Sequence, residues 1–227
     1  MTTSTVLLFD IDGTLVATGG AGRRAMAAAF GELYAKNDVF EGLSFAGMTD
    51  RAIARHGVIA AVGACDDAAI DRALDAYLAY LHRELVNADG YRVFPGVHDV
   101  LSRVRGHAAI GLGTGNVKRG AYAKLAPGEL GDHFAFGGFG CDAEDRTELL
   151  RSGARRGADA LGVPLEACRV VVIGDTPKDV AAAKGIGAEC VGVGTGGFDP
   201  QKLVELGATH AFATLEADGV LDVLLRR

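Results

Sequence analysis

Short apolar runs with no polar alternation constrain the fold of this chain more than any other feature. The first is Thr5-Val6-Leu7-Leu8-Phe9, and similar runs recur at Ala108–Leu112, Phe134–Phe136, Arg169–Ile173, Ala188–Val193 and Thr209–Ala213. A strand that is apolar on both faces must be covered on both faces, which suits a parallel sheet better than a half-exposed antiparallel one. Helical patterns lie between the runs, at Val97–Arg105, Val117–Leu125, Arg146–Leu161, Pro177–Lys184, Pro200–Leu206 and Leu215–Leu225. The alternation predicts an α/β fold with a doubly wound, Rossmann-like parallel sheet.

From about Val16 to Gly90 the alternation stops. This stretch reads as consecutive helices with no convincing strand. Gly22–Lys36 and Thr49–Val62 form two of them. A third carries Ile70, Leu74, Tyr77, Leu78, Leu81 and Leu85 at helical spacing, with Asp66 and Asp67 as capping candidates. Gly19-Gly20 on one side and Ala88-Asp89-Gly90 on the other suit hinges. The expectation is a core domain of residues 1–16 and 91–227, interrupted by an all-helical cap domain of residues 17–90.

Composition removes several classes. Of 227 residues 49% are hydrophobic and 23% charged, enough apolar side chain for a core and too much for intrinsic disorder. The net charge of −6 lacks the basic footprint of a nucleic-acid binder. Runs such as Val170–Ile173 are far shorter than the roughly 20 residues of a membrane span. Asp10 and Asp12 interrupt the start of the chain, so Met1–Val16 does not read as a signal peptide. Cys65, Cys141, Cys168 and Cys190 are scattered with no C-x-x-C spacing, as expected of reduced thiols in a cytoplasmic protein.

The chemistry sits where the apolar runs end. Asp10-Ile11-Asp12-Gly13-Thr14-Leu15 sets two carboxylates directly after the first strand, and ligands of open α/β sheets bind at the carboxyl ends of strands. Crowded carboxylates repel unless a cation or a proton separates them. A calcium loop does not fit, because the glycine comes too early and no acidic residue stands at the twelfth position. The simpler alternative is an Asx-type turn. Gly174-Asp175-Thr176-Pro177-Lys178-Asp179 repeats the theme, with Thr176 as helix cap, Pro177 at the first helical position and Asp179 at the third. If the two strands are neighbours, Asp10 and Asp175 meet, and hard oxygen ligands without His or Cys favour Mg²⁺ over Zn²⁺. Ile110-Gly111-Leu112-Gly113-Thr114-Gly115-Asn116 ends a strand in a hydroxyl and exposed backbone N–H groups, suited to a phosphate oxygen or to plain helix capping. It is not a dinucleotide fingerprint, which needs glycine at Asn116. Arg146 follows Asp142, Glu144 and Asp145, a setting that by itself reads as solvated surface pairing.

Taken together and in this order, these motifs resemble the haloacid dehalogenase-like (HAD) hydrolase superfamily, over essentially the whole chain. The position of the insertion resembles the helical-cap subfamily that includes phosphoglycolate phosphatases and β-phosphoglucomutases. The resemblance implies that Asp10 is a nucleophile forming an aspartyl-phosphate and that Asp12 is the general acid/base. It implies that Thr114, with Gly115 and Asn116, binds the transferring phosphate. It further implies that Asp10, Asp175 and the backbone carbonyl of Asp12 ligate Mg²⁺, with Asp179 in support. The family's third motif is usually Lys. No Lys stands between Lys124 and Lys178, so Arg146 takes that place, with Lys118 or Lys178 next in line. Gly20, Arg23, Arg24 and the segment Phe45-Ala46-Gly47-Met48-Thr49-Asp50-Arg51 are candidates for cap specificity. The implied activity is Mg²⁺-dependent hydrolysis of a small phosphorylated metabolite, with phosphoglycolate the leading substrate. The alternatives are a phosphomutase of the β-phosphoglucomutase kind, a metal-free dehalogenase that Asp12 argues against, and a non-catalytic binding module. Neither nucleic acid nor membrane is expected as a partner, and the chain is expected to be a monomer or homodimer.

Overall fold

The structure, a computed structural model, describes residues 4–86 and 89–226. In chain order the elements are β1 (Ser4–Phe9), β2 (Val16–Thr18), α1 (Ala21–Tyr34), α2 (Asp50–Val62), α3 (Asp67–Val86), β3 (Tyr91–Val93), α4 (Val97–Val104), β4 (Ala109–Thr114), α5 (Lys118–Leu125), β5 (Phe136–Phe139), α6 (Arg146–Leu161), β6 (Cys168–Gly174), α7 (Pro177–Gly185), β7 (Glu189–Val193), α8 (Pro200–Glu205), β8 (His210–Phe212) and α9 (Val220–Leu225).

Six of the strands form one parallel sheet in the order β5-β4-β1-β6-β7-β8. The chain steps outward from β1 to β4 and β5, then returns to β6 on the other side. The strand order therefore reverses at β1, which is where doubly wound sheets open a ligand crevice. Side chains alternate across β1 as strand geometry demands. Leu7 and Phe9 join a buried cluster with Val100, Leu101 and Leu125 on one face, while Val6 and Leu8 join Leu149, Leu150 and Val180 on the other. Both faces are covered, as the unbroken apolar runs require.

Between β1 and the rest of the sheet lies the helical insertion. Its three helices share their own apolar cluster, including Phe30, Phe40, Ile53, Val58, Ile70 and Tyr77, to which α5's preceding residue Val117 contributes from the sheet side. The expectation of no strand in this stretch needs correction at its start. β2 pairs antiparallel with β3, Val16 with Val93 and Thr18 with Tyr91, tying both ends of the insertion together. A ladder of three residues has too little periodicity to read, and its partner lies some seventy residues away in the chain. The expected glycine hinges flank this ribbon. Gly19, at φ +59°, lies so close to the Asp89 carbonyl that a Cβ would stand 1.9 Å from its oxygen. Ala88 lies outside the described residues.

Two further shifts have physical causes. The strand expected at Phe134–Phe136 runs instead over Phe136–Phe139. Gly137-Gly138 resembles a turn, but α6 packs directly on it, and a Cβ on Gly138 would stand 1.8 Å from the Leu149 carbonyl oxygen. The helix expected at Leu215–Leu225 begins only at Val220, after Gly219 adopts a left-handed φ of +84°. Among the described residues, no helix is long and apolar enough to cross a membrane.

Candidate active site

Register brings the motifs together. Phe9 pairs with Leu112 on one side and with Ile173 on the other. Residues following β1, β4 and β6 therefore emerge side by side, and Asp10 N–H continues the ladder to the Ile173 carbonyl at 2.8 Å. Asp10, Asp12, Thr114, Gly115, Asn116, Arg146 and Asp175 all line one cavity of about 290 Å³. The far wall comes from the insertion, with Arg23, Phe45, Met48 and Tyr77 among its residues. That volume suits a small ligand.

The acidic end is held by α6 and α7. Arg146 is the first residue of α6, which Asp145 caps by accepting from the N–H groups of Thr147 and Glu148. Its guanidinium points back under the sheet edge. Nη2 lies 2.8 Å from Asp10 Oδ2 and 2.6 Å from Asp179 Oδ1, and Nε donates to Asp179 Oδ1 at 2.9 Å. Asp179 Oδ2 accepts from the Thr176 N–H and hydroxyl, completing the capping box of α7. Asp179 is thus both a cap and a partner of Arg146, and it is fully buried. Arg146 is 8% exposed, so it is not the solvated surface residue its acidic neighbours suggest.

One carboxylate oxygen from each of Asp10, Asp175 and Asp179 lies within 4.8 Å of the others. Burial pushes Asp10 up to about 6, with Arg146 pulling it back and Asp179 and Asp12 adding to the rise. Burial, reinforced by Asp10 and Asp179, pushes Asp175 up to about 8. Arg146 alone does not balance these acids, so the donor set fits a divalent cation. Both oxygens of Asp179 are already engaged, which leaves Asp10 and Asp175 as the carboxylates able to ligate. The backbone closes tightly around Asp175. A Cβ on Gly13 would stand 2.3 Å, and one on Gly196 1.7 Å, from its Oδ2, while Thr14 donates to its Oδ1 at 3.0 Å.

Thr114 is fully buried, and its Oγ1 accepts from the Asn116 N–H at 3.3 Å and Nδ2 at 2.8 Å. Asn116 Nδ2 also donates to Asp12 Oδ2 at 2.8 Å, while its Oδ1 is buried without a partner. Neither Thr114 nor Asn116 caps α5. The N-cap position is Val117, whose side chain makes no capping hydrogen bond and whose N–H donates to Asp50 Oδ2 at 2.8 Å.

The other end of the cavity holds Asp50, from the segment expected near the cap interior, and Lys124, which the sequence does not flag. Lys124, in the last turn of α5, places Nζ 2.7 Å from Asp12 Oδ2. Burial opposes its charge, but Asp12, Tyr77 and Asp50 more than offset that and hold the ammonium above its usual range. Asp50 is pushed up to about 6 by burial, with Lys124 and the Val117 N–H drawing it down. The available signal was a lysine among Gly120, Ala121 and Leu125, the buried positions of α5.

Of the cap candidates, Gly20 and Arg23 line the cavity and Arg24 does not. Arg23 donates to the carbonyls of Phe40 and Leu43 and lies 4.0 Å over the Phe45 ring. Arg24 is half exposed and engages Glu84 at 2.7 Å and the Gly19 carbonyl at 2.6 Å. Lys118 and Lys178 are exposed and do not line the cavity.

A doubly wound sheet with acids from two adjoining strand ends, a buried guanidinium paired with the first of them and a helical insertion over the crevice defines a hydrolase class. A family model of haloacid dehalogenase-like hydrolases matches residues 5–187, and the chain belongs to that family. No curated protein matches it significantly. Among solved structures, the fold is similar to a predicted phosphoglycolate phosphatase from Haemophilus somnus, at 16% identity with a TM-score of 0.70 over 98% of this chain and 99% of that one. It is also similar to CbbY from Rhodobacter sphaeroides, solved in complex with phosphate, at 18% identity with a TM-score of 0.69 over 95% and 96% of the two chains. A predicted phosphatase from Clostridium acetobutylicum matches at 17% identity with a TM-score of 0.69 over 99% of each chain.

Proposed function

We propose that this protein is a Mg²⁺-dependent phosphatase that hydrolyses a small phosphate monoester through an aspartyl-phosphate on Asp10, with phosphoglycolate as the leading substrate. One observation carries the reading: Asp10 lies in a small cavity between Arg146, at 2.8 Å, and the acid Asp175, with Thr114 lining the same cavity from the neighbouring strand. The fold neighbours named for phosphatases support it, as does CbbY with its bound phosphate. In this reading residues 1–16 and 91–227 are the catalytic core and residues 17–90 the cap. The four cysteines are free thiols, in keeping with a cytoplasmic location.

Asp10, Asp175 and the Asp12 backbone carbonyl would hold the Mg²⁺. Bound there, the ion supplies positive charge that keeps both carboxylates ionised and offsets their repulsion of a phosphate dianion. An oxygen of Asp10 attacks phosphorus, and the ester P–O bond breaks. Asp12 gives its proton to the departing alkoxide. Asp12 then takes a proton from water, whose oxygen attacks the same phosphorus, and inorganic phosphate leaves as Asp10 is restored. Arg146 and the Thr114 hydroxyl bind the equatorial oxygens, where negative charge spreads in the transition state. The cap excludes bulk water from the first step.

A panel of phosphate monoesters that includes phosphoglycolate and p-nitrophenyl phosphate, assayed for free phosphate with Mg²⁺ and with EDTA, tests this reading. Phosphate release that needs Mg²⁺ is the expected result. Isomerisation of a sugar phosphate without net phosphate release would make the protein a mutase instead, and no turnover of any ester would make it a binding module.

A further inference from the structure

Lys124 is an ammonium where α5 otherwise buries Gly120, Ala121 and Leu125. Only 5% of it is exposed. An aliphatic side chain would fill this position without taking a charge out of water, a cost that a buried ion pair recovers only with favourable geometry. The geometry here converges on one group. Lys124 Nζ and Asn116 Nδ2 approach Asp12 Oδ2 at 2.7 and 2.8 Å, from two different turns of chain after β4. Asp12 Oδ1 has no hydrogen-bond partner among the described residues. The side chain lines the cavity and is 43% exposed there. One oxygen is therefore clamped and the other left open.

The far side of Lys124 meets the insertion. A Cβ on Gly22 of α1 would stand 3.4 Å from Nζ and 3.8 Å from the Tyr77 hydroxyl of α3, ordinary contact distances, so α1 and α3 pack directly beside the ammonium. Asp50, the first residue of α2, is fixed to the same region of the core. Its N–H donates to the Gly115 carbonyl and its Oδ2 accepts from the Val117 N–H, each at 2.8 Å. The ammonium is thus enclosed by groups from α1, α2, α3 and the core.

We infer that Lys124 is a positioning residue for Asp12. It orients the carboxyl group that must reach the leaving oxygen, at the place where the helical insertion seats against α5. The inference rests on the phosphatase reading, in which Asp12 is the general acid. A general acid matters most when the leaving group is poor. A misplaced Asp12 should therefore slow an alkyl ester far more than an aryl ester whose phenolate leaves unaided.

The test compares wild type, Lys124→Met and Lys124→Arg on phosphoglycolate and on p-nitrophenyl phosphate, following alcohol release before the first turnover is complete. Lys124→Met is expected to slow the alkyl ester about 100-fold and the aryl ester at least about tenfold less, with Lys124→Arg recovering part of the difference. Equal slowing of the two esters, or no slowing of either, with an active wild type overturns the inference alone. So does a raised KM for phosphoglycolate at unchanged kcat, which would make the ammonium a substrate ligand. A wild type that turns over no ester of the panel overturns the phosphatase reading, and the inference falls with it; where another alkyl ester is turned over faster than phosphoglycolate, the same comparison uses that ester. Should Lys124→Met fail to fold, the double variant Lys124→Met/Asp50→Asn removes one acid along with the cation, and the same rate comparison applies to it.

Discussion

Arg146 and Lys124 are the two buried cations of the cavity, and each stands among acids. Arg146 lies between Asp10 and Asp179, at the start of α6, with every partner on the sheet side of the crevice. Lys124 lies beside Asp12, near Asp50, at the end of α5, and its surroundings come partly from the insertion. The first cluster is complete within the α/β core, so its geometry does not depend on where the helices of the insertion sit. In the second the Lys124–Asp12 pair also lies within the core, but the groups around the ammonium, Asp50 and Tyr77, come from the insertion. In the proposed reaction the first cluster handles phosphorus and the second handles the leaving group. The contrast therefore separates a rigid phosphoryl site from an assembled proton-transfer site.

The largest expected effect attacks the rigid end. Asp10→Asn should lower turnover by at least about 1,000-fold while leaving the circular dichroism spectrum unchanged. Removing metal comes next. EDTA should reduce the rate by more than about 100-fold, and restored Mg²⁺ should both recover activity and raise the melting temperature. Arg146→Ala should cost about 100-fold in rate. It should also lower stability by about 3–5 kcal/mol, because Asp10 and Asp179 are left buried without their cation. Chemical denaturation measures that loss. A wild-type rate in this variant would move the phosphate-binding cation elsewhere and erase the contrast.

A pH series sharpens the comparison further. In the metal-free fold Asp10 and Asp50 keep their protons up to about 6 and Asp175 up to about 8, against an ordinary value of 3.8. Between these values the folded protein binds more protons than the unfolded chain, so stability falls as pH rises. With EDTA present, the melting temperature should decline from about pH 4 to about pH 8. Asp175→Asn should flatten the upper part of that decline and Asp50→Asn the lower part. A melting temperature independent of pH would refute the burial of these acids. The smallest effect belongs to Arg24→Ala. It breaks a half-exposed ion pair with Glu84 outside the cavity, so stability should change by no more than about 1 kcal/mol and kcat/KM not at all.

The rigid end is legible in sequence because its residues lie next to the elements that carry them. Asp10, Thr114 and Asp175 end or directly follow apolar strands, and parallel pairing of neighbours does the rest. The bounds of α6 agree at both ends, since Asp145 caps it and Gly162 ends it with a left-handed φ of +68°. The assembled end is hidden for the opposite reason. Lys124 is more than a hundred residues from Asp12, and Asp50 stands in the segment expected near the cap interior with no sign that it meets α5. Nothing local says that α5 and α2 meet. The β2–β3 ribbon is hidden, and the glycine-bearing strand β5 starts two residues later than its apolar run, for related reasons. The ribbon is too short to show a period, and in β5 the demand for glycine comes from α6 rather than from a turn.

The proposed covalent step is open to direct observation. Wild-type protein quenched in acid during turnover of phosphoglycolate, then digested and analysed by mass spectrometry, should carry one phosphoryl group on Asp10, and Asp10→Asn should carry none. Label on a different side chain, or an unlabelled wild type together with an active Asp10→Asn, would contradict attack by this carboxylate.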